Sequence, residues 1–212
     1  PDILNTIVLN VEKENPNTRC SILLLDEHKR CFESEVAPSL PDFYNQAIHG
    51  LKIGFGVGSC GTAAHIGERV IVEDIQTHPY WEPYKTLAAQ ANLRACWSQP
   101  IFSSKNEIMG TFAIYHQGIY TPTQDHLILI EQTAALASIA IERHQINLAL
   151  KFSEERWKFA LEGTKSAAWE YNLQTQKNFV SRQMFDMLGI TPPTDSFSSF
   201  LQLTDWDNRL HP

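Results

Sequence analysis

Residues 52–102 decide the fold of this chain and read KIGFGVGSCGTAAHIGERVIVEDIQTHPYWEPYKTLAAQANLRACWSQPIF. Glycine is unusually dense at the start of this segment, where it occupies positions 54, 56, 58 and 61. Such a density predicts a backbone that turns sharply or approaches another group closely. Residues 61–66 are expected to form one short helix, which Gly67 ends.

The segments around this stretch predict a mixed helix and strand fold. Apolar residues at helical spacing predict a first helix over residues 2–14. β-Branched and apolar runs predict strands, which cover residues 19–25, 30–36, 69–72, 94–102 and 108–115. We interpret the sum as an α+β fold, an antiparallel sheet with helices on its faces.

Three segments carry a family resemblance when they are taken in order. GSCGTAAHIGERVIVEDIQTHPYW, LRACWSQPIF and IMGTFAIYH resemble the core of a GAF domain, a small sensory module. The resemblance covers residues 1–148 and implies a small molecule bound between the sheet and its covering loops and helices. It leaves the cofactor unknown, because Cys96 precedes Trp97 rather than the histidine usual in bilin-binding relatives, and the cyclic-nucleotide pattern is absent.

Seven residues in the segments that would cover the sheet are candidate ligand contacts. They are Phe55, Asp74, Trp81, Tyr84, Arg94, Cys96 and Ser98. Trp81 and Tyr84, in the loop THPYWEPYK, can instead pack in the core, and Asp74 can cap a turn. Strand alternation puts Arg94, Cys96 and Ser98 on one face, but it does not decide whether that face points inward. No residue pattern predicts a metal site.

Two other classes of function stay open. Some stand-alone GAF proteins reduce free methionine sulfoxide with cysteines, and GFGVGSCGTA places Cys60 as their glycine turn does, with Cys96 as a second redox cysteine. That chemistry needs an attacking thiolate and a resolving thiol. The segment ACWSQP lacks their third cysteine, so we expect no enzyme here. The third class is a structural dimerisation domain whose pocket is filled by residues such as Trp97, Phe102 and Phe112.

Residues 122–150 form the longest periodic segment and predict a long helix. Seven positions recur at spacings of three and four, which is a heptad pattern: Leu127, Ile130, Ala134, Ala137, Ile141, His144 and Leu148. We interpret this face as the interface of a homodimer. A second apolar face, formed by Ile128, Ala135 and Ile139, is expected to pack on the sheet. The alternative is a helix that packs only on its own sheet.

The last third of the chain resembles a second sensory fold. ERWKFALEGTKSAAWEYNLQTQKNFVSRQMFDMLGI (residues 155–190) is similar to the opening of a PAS domain. The resemblance implies strands over residues 167–172 and 178–181, a helix over residues 184–188, and a W-x-x-x-x-H-P element over residues 206–212. The later strands of a PAS sheet are missing, so no ligand is assigned to this part.

Composition limits the possible partners and compartment. The net charge of −7 argues against binding to nucleic acid or an anionic membrane. No apolar run is long enough to cross a bilayer. Four widely spaced cysteines without a C-x-x-C pair favour a reducing cytosol, and hence a cytoplasmic location.

These observations predict a non-enzymatic regulatory fragment of a bacterial signalling protein. Its expected domains are a GAF sensory domain (1–126), a signalling or coiled-coil helix (127–152) and a truncated PAS domain (153–212). A chain that begins at Pro1 without methionine is expected to be a fragment. Its output domain, a histidine kinase or a GGDEF-type cyclase, is expected downstream.

Overall fold

The computed structural model describes residues 2–164, 166–175, 177–189 and 198–199, and divides into two compact units, residues 1–145 and 146–212. The strands of the first unit are β1 (Thr18–Leu25), β2 (Phe32–Val36), β3 (Val70–Val72), β4 (Ala95–Phe102) and β5 (Ile108–His116). They form one antiparallel sheet in the order β2-β1-β5-β4-β3. All five predicted strands of the first unit are therefore present.

Helices surround this sheet and connect its strands. They are α1 (Asp2–Glu14), α2 (Asp42–Ile48), α3 (Gly58–Ile66), a 3-10 helix (Pro79–Tyr84), α4 (Lys85–Gln90) and α5 (Gln124–Thr164). Helix α3 begins at Gly58 instead of the predicted residue 61. Gly58 itself has a φ of +57°, a conformation that glycine adopts without steric cost, so the helix can start directly from the turn.

Two separate cores lie on the two faces of the sheet. The first core packs α2, α3, the 3-10 helix and α4 on side chains such as Leu23, Phe32 and Tyr115. The second core packs α1 and α5 on Trp97 and Phe112. Successive residues of β4 and β5 alternate between these cores, as the period of a strand requires.

Helix α5 meets the sheet through the face that the sequence assigned to a partner subunit. Ile130, Ala134, Ala137 and Ile141 are all buried in the second core. Ile139, expected on the sheet, is 64% exposed instead. The two faces of this helix were therefore interchanged in the sequence-based interpretation. Spacings of three and four mark any buried helix face, whether a sheet or another helix covers it.

The remaining positions of the two predicted faces of α5 are more exposed to solvent. Leu127 is half-buried, whereas His144 and Leu148 are exposed. Ile128 and Ala135 are also exposed. The sequence could not separate these groups, because both faces carry apolar residues at helical spacing.

The second unit contains a smaller antiparallel sheet. Its strands are β6 (Trp169–Asn172), β7 (Lys177–Ser181) and β8 (Ser198–Ser199), and helix α6 (Arg182–Leu188) follows β7. The first two strands and the helix lie within two residues of their predicted positions. The predicted element over residues 206–212 lies outside the described residues. In the part of the chain that the structure describes, every helix is too short or too polar to span a bilayer.

Candidate functional site

A cavity of about 30 Å³ lies between α3, the 3-10 helix and the first face of the sheet. Its lining includes Leu23, Tyr44, Cys60, Trp81, Tyr84 and Tyr115. A volume of this size has room for about two water-sized molecules. The cavity therefore offers only a very small space.

The glycine turn allows α3 to cover this cavity closely. Gly56 has a φ of +80°, a left-handed conformation that side chains disfavour. A Cβ at Gly61 would lie 2.9 Å from the Cβ of Val57. These two glycines let the turn fold back on the helix that carries Cys60.

Trp81 is a buried wall of the cavity. Its indole Nε1 donates a hydrogen bond to Ser59 Oγ at 3.0 Å, and Ser59 Oγ donates to the Cys96 carbonyl at 3.2 Å. This chain of hydrogen bonds joins the 3-10 helix, α3 and β4. Trp81 therefore both packs and lines the cavity, and half-buried Tyr84 lines it beside Trp81.

A polar cluster lies beneath the cavity, and of its members only Cys60 and Tyr115 line the cavity itself. We use the name thiol–hydroxyl cluster for Cys60, Cys96, Ser98, Thr111 and Tyr115, which are all buried. Cys60 Sγ lies 3.6 Å from Tyr115 Oη. Among the described residues, Ser98 Oγ and Thr111 Oγ1 have no hydrogen-bond partner. The inward face of β4 is therefore the one that carries Cys96 and Ser98.

The cluster separates the acidities of its two thiols. A hydrogen bond from Cys96 lowers the pKa of Cys60 to about 7, with help from Ser98, Tyr115 and Thr111 and against the effect of burial. Burial raises the pKa of Cys96 well above its usual value. Cys60 is consequently the thiol that ionises first, and it does so near neutral pH.

Two of the seven predicted ligand contacts, Trp81 and Tyr84, line the cavity, and the other five lie outside its lining: Phe55, Asp74, Arg94, Cys96 and Ser98. Asp74 accepts two hydrogen bonds from Arg94, at 2.6 and 3.1 Å, and a third from the Gln76 backbone amide at 3.0 Å. This pair joins the turn after β3 to the start of β4. Phe55 is 67% exposed and packs edge-on against Tyr80, with ring centroids 5.1 Å apart.

Sequence reasoning selected Tyr84 but missed the two other tyrosines of the site. Tyr44 and Tyr115 both line the cavity, with ring centroids 6.1 Å apart in an edge-on arrangement. Alternation along β5 was the available signal, because Thr111, Ala113 and Tyr115 must share one face. Within the described residues, no group of three or more histidine, cysteine or acidic side chains is placed to hold a metal ion.

The ion pair predicts a pH effect on stability. The Arg94 hydrogen bonds hold the pKa of Asp74 below its usual value. A lowered folded-state pKa stabilises the fold above the unfolded-state pKa of about 4, and this contribution is lost as the pH falls through the folded-state pKa. We expect Asp74→Asn to lower the urea midpoint at pH 7 and to differ less from the parent chain at pH 3. An equal difference at both pH values would contradict the role of the carboxylate charge.

The comparison with protein families identifies the first unit. Residues 1–142 match the model of the GAF domain. The chain belongs to the GAF domain family. The chain is 40% identical over 158 residues to the methyl sulfide methyltransferase-associated sensor of Methanosarcina acetivorans. This match covers 74% of the chain but only 16% of the length of that sensor.

Solved structures with low sequence identity share the GAF fold. A domain of a putative two-component sensor histidine kinase from Sinorhizobium meliloti has a TM-score of 0.57 and 17% identity, over 71% of this chain and 95% of that one. A type II free methionine-R-sulfoxide reductase from Thermoplasma acidophilum has a TM-score of 0.51 and 15% identity, over 67% and 92%. The GAF domain is thus homologous to a sensor protein, while its fold also occurs in reductases.

Proposed function

We propose that the GAF domain senses a small molecule in its cavity and that α5 transmits the change through a homodimer. The output domain would lie in the rest of a longer protein, as a histidine kinase or a GGDEF-type cyclase. The similarity to a named sensor and to a sensor kinase domain supports this proposal. The strand–strand–helix order of β6, β7 and α6 supports the further proposal that residues 153–212 begin a PAS domain.

The polar floor beneath the cavity, formed by buried hydroxyls of the sheet next to the lining residues Cys60 and Tyr115, is the observation that carries the sensory proposal. A pocket kept only for structure would be filled with apolar side chains, since a buried hydroxyl without a partner costs about 1–3 kcal/mol. Ser98 and Thr111 are both fully buried and bear such hydroxyls. Unpartnered buried groups of this kind call for an explanation, and we propose that a ligand reaches them from the cavity through the lining residues Cys60 and Tyr115.

The size of the cavity limits its occupant. About 30 Å³ is too small for free methionine sulfoxide, which is a complete amino acid with a polar side chain. The small cavity therefore favours a signal of a few atoms over the reductase alternative.

The transmission proposal uses the face of α5 that the sheet leaves uncovered. Leu136 and Ile139 are 53% and 64% exposed. Further exposed apolar residues of the same helix are Ile146, Leu150 and Trp157. Their spacings of three, seven, four and seven match the two core positions of a heptad. A heptad face is complementary to a second copy of itself, so we propose a homodimer through this face, which we call the exposed heptad face.

Native mass spectrometry of the full chain as purified tests the sensory proposal. A dimer that loses extra mass on gentle activation would report both the interface and the retained ligand. If the ligand is lost during purification, a thermal screen of small metabolites is expected to find one that raises the melting temperature by mass action. Thr111→Val is a matched variant, which keeps the shape but removes one unpartnered hydroxyl. We expect this variant to be more stable than the parent and to lose the response.

Two results would contradict the sensory proposal. If no ligand mass appears and no metabolite raises the melting temperature, the pocket is structural and the sensory proposal fails. A response that is equally strong in Thr111→Val would contradict the role of the polar floor.

A further inference from the structure

The thiol–hydroxyl cluster brings two free cysteines together at the base of the cavity, where Cys60 is part of the lining and Cys96 lies beneath it. Tyr115 stands directly opposite Cys96 in the β4–β5 ladder, so their side chains are neighbours on one face. Cys60 Sγ lies 3.6 Å from Tyr115 Oη. The neighbouring Ser59 is hydrogen-bonded to the Cys96 carbonyl at 3.2 Å. Helix α3 is therefore fixed with the Cys60 thiol over the Cys96–Tyr115 pair.

The surroundings of the Cys60 sulfur suit its ionised form. The hydroxyls of Ser98 and Thr111 lack a partner among the described residues, although both are fully buried. An ionised Cys60 would accept hydrogen bonds from them, since these two groups and Tyr115 all lower the pKa of Cys60. A buried thiolate with several donors is the nucleophilic form of cysteine.

We propose that Cys60 and Cys96 form a peroxide-reactive thiol pair, in which Cys60 attacks the oxidant and Cys96 resolves the product. The Cys60 thiolate attacks one oxygen of hydrogen peroxide, which breaks the O–O bond and gives a sulfenic acid and hydroxide. The proton released when Cys60 ionised converts this hydroxide to water. The Cys96 thiol then displaces the sulfenic oxygen as a second water and closes the disulfide. Two thiols lose two electrons in all, and one peroxide gains them.

The cavity selects for this oxidant by size. Cys60 lines a space of about 30 Å³, which is large enough for hydrogen peroxide and too small for an oxidant of many more atoms. The use of this reaction as the signal rests on the proposed sensory function. The reaction itself does not, so the experiment below measures the chemistry of the sulfurs alone.

Peptide mapping of the reduced full chain after treatment with equimolar hydrogen peroxide tests the pair. We expect a Cys60–Cys96 disulfide, with the chain lighter by two hydrogen atoms. In Cys96→Ser the reaction should stop at a sulfenic acid on Cys60, one oxygen atom heavier and trapped by dimedone. Cys20→Ser is the matched control, because Cys20 is buried on the opposite face of the sheet. This control should form the disulfide as the parent does.

Cys31 provides an internal comparison, since it is more exposed than either member of the pair. We expect Cys60 to be oxidised at least about tenfold faster than Cys31, because reactivity follows thiolate character. Faster oxidation of Cys31, or a Cys60 that stays reduced, would overturn the proposal. These results come from the parent chain and do not depend on the folding of any variant.

A titration measures the thiolate without any oxidant. Thiolate absorbance at 240 nm in the parent chain should rise with a midpoint near pH 7, as the pKa of Cys60 requires. This step should disappear in Cys60→Ser and persist in Cys20→Ser. A parent chain without a step near pH 7 would show that the cluster does not stabilise the thiolate, and would overturn the assignment of Cys60 as the attacking sulfur.

Discussion

Gly110→Ala is expected to destabilise the GAF domain by about 3 kcal/mol or more, or to prevent its folding. Gly110 lies in β5 at the centre of the sheet, opposite Leu24 of β1 and Ile101 of β4. A Cβ at this position would lie 2.1 Å from the carbonyl oxygen of Leu23. This neighbour is backbone of the adjacent strand, so it cannot move away without breaking the β1–β5 ladder.

Urea unfolding followed by circular dichroism measures this effect. The matched control is Gly118→Ala, because Gly118 follows the same strand and an added Cβ there meets nothing within 4 Å. We expect the control to stay within about 0.5 kcal/mol of the parent. Equal stabilities of the two variants would show that β1 and β5 are not packed as closely as described. A domain has only about 5–15 kcal/mol of stability, so the expected loss is a large part of it.

The order of elements could be predicted because local patterns decide it. A β-branched run predicted β3, and apolar residues at helical spacing predicted α1 with the bounds that the structure has. The covering helices α2 and α4 are short, and the sequence analysis gave bounds for neither of them. Propensity is a weak signal over six or seven residues, and packing on the first core decides such segments.

The faces of α5 could not be predicted from the sequence for a different reason. Ile130 and Ile139 are equally apolar, and both belong to rows with helical spacing. Which row meets the sheet depends on the direction in which the chain enters the helix after β5. Contacts that fix this rotation, such as Ser138 Oγ to the Phe102 carbonyl at 2.5 Å, join residues 36 positions apart. A single sequence does not contain that information.

Only part of the candidate site could be predicted, because long-range contacts also decide which side chains reach the cavity. The sequence selected Trp81, Cys96 and Ser98, which lie in or beneath the cavity wall. It also selected Asp74 and Arg94, which pair with each other instead. Both groups have polar or aromatic side chains near the glycine turn. Tertiary packing separates the two groups, because Arg94 pairs with Asp74 across 20 positions of the chain, whereas Trp81 is hydrogen-bonded to Ser59 across 22.

Ile139→Glu is expected to weaken association of the full chain at least ~100-fold, about 2.7 kcal/mol. Ile139 is exposed on the exposed heptad face, away from the second core. A two-fold interface brings residue 139 of both copies together, so each substitution acts twice and places two carboxylates side by side. Burial of an unpaired carboxylate in such a seam is strongly unfavourable.

Sedimentation velocity over a concentration series measures the dissociation constant. The matched control is Gln145→Glu, which adds the same charge at an exposed position of the same helix outside the two core positions of the heptad. We expect the control to associate like the parent. The Ile139→Glu monomer should unfold at the same urea concentration as the parent monomer, because residue 139 is not part of either core. A parent chain that is monomeric at every concentration would exclude a homodimer through this face. If Ile139→Glu dimerises as tightly as Gln145→Glu, the dimer interface lies on another surface. A change in the cavity would then reach the rest of the protein by a different route.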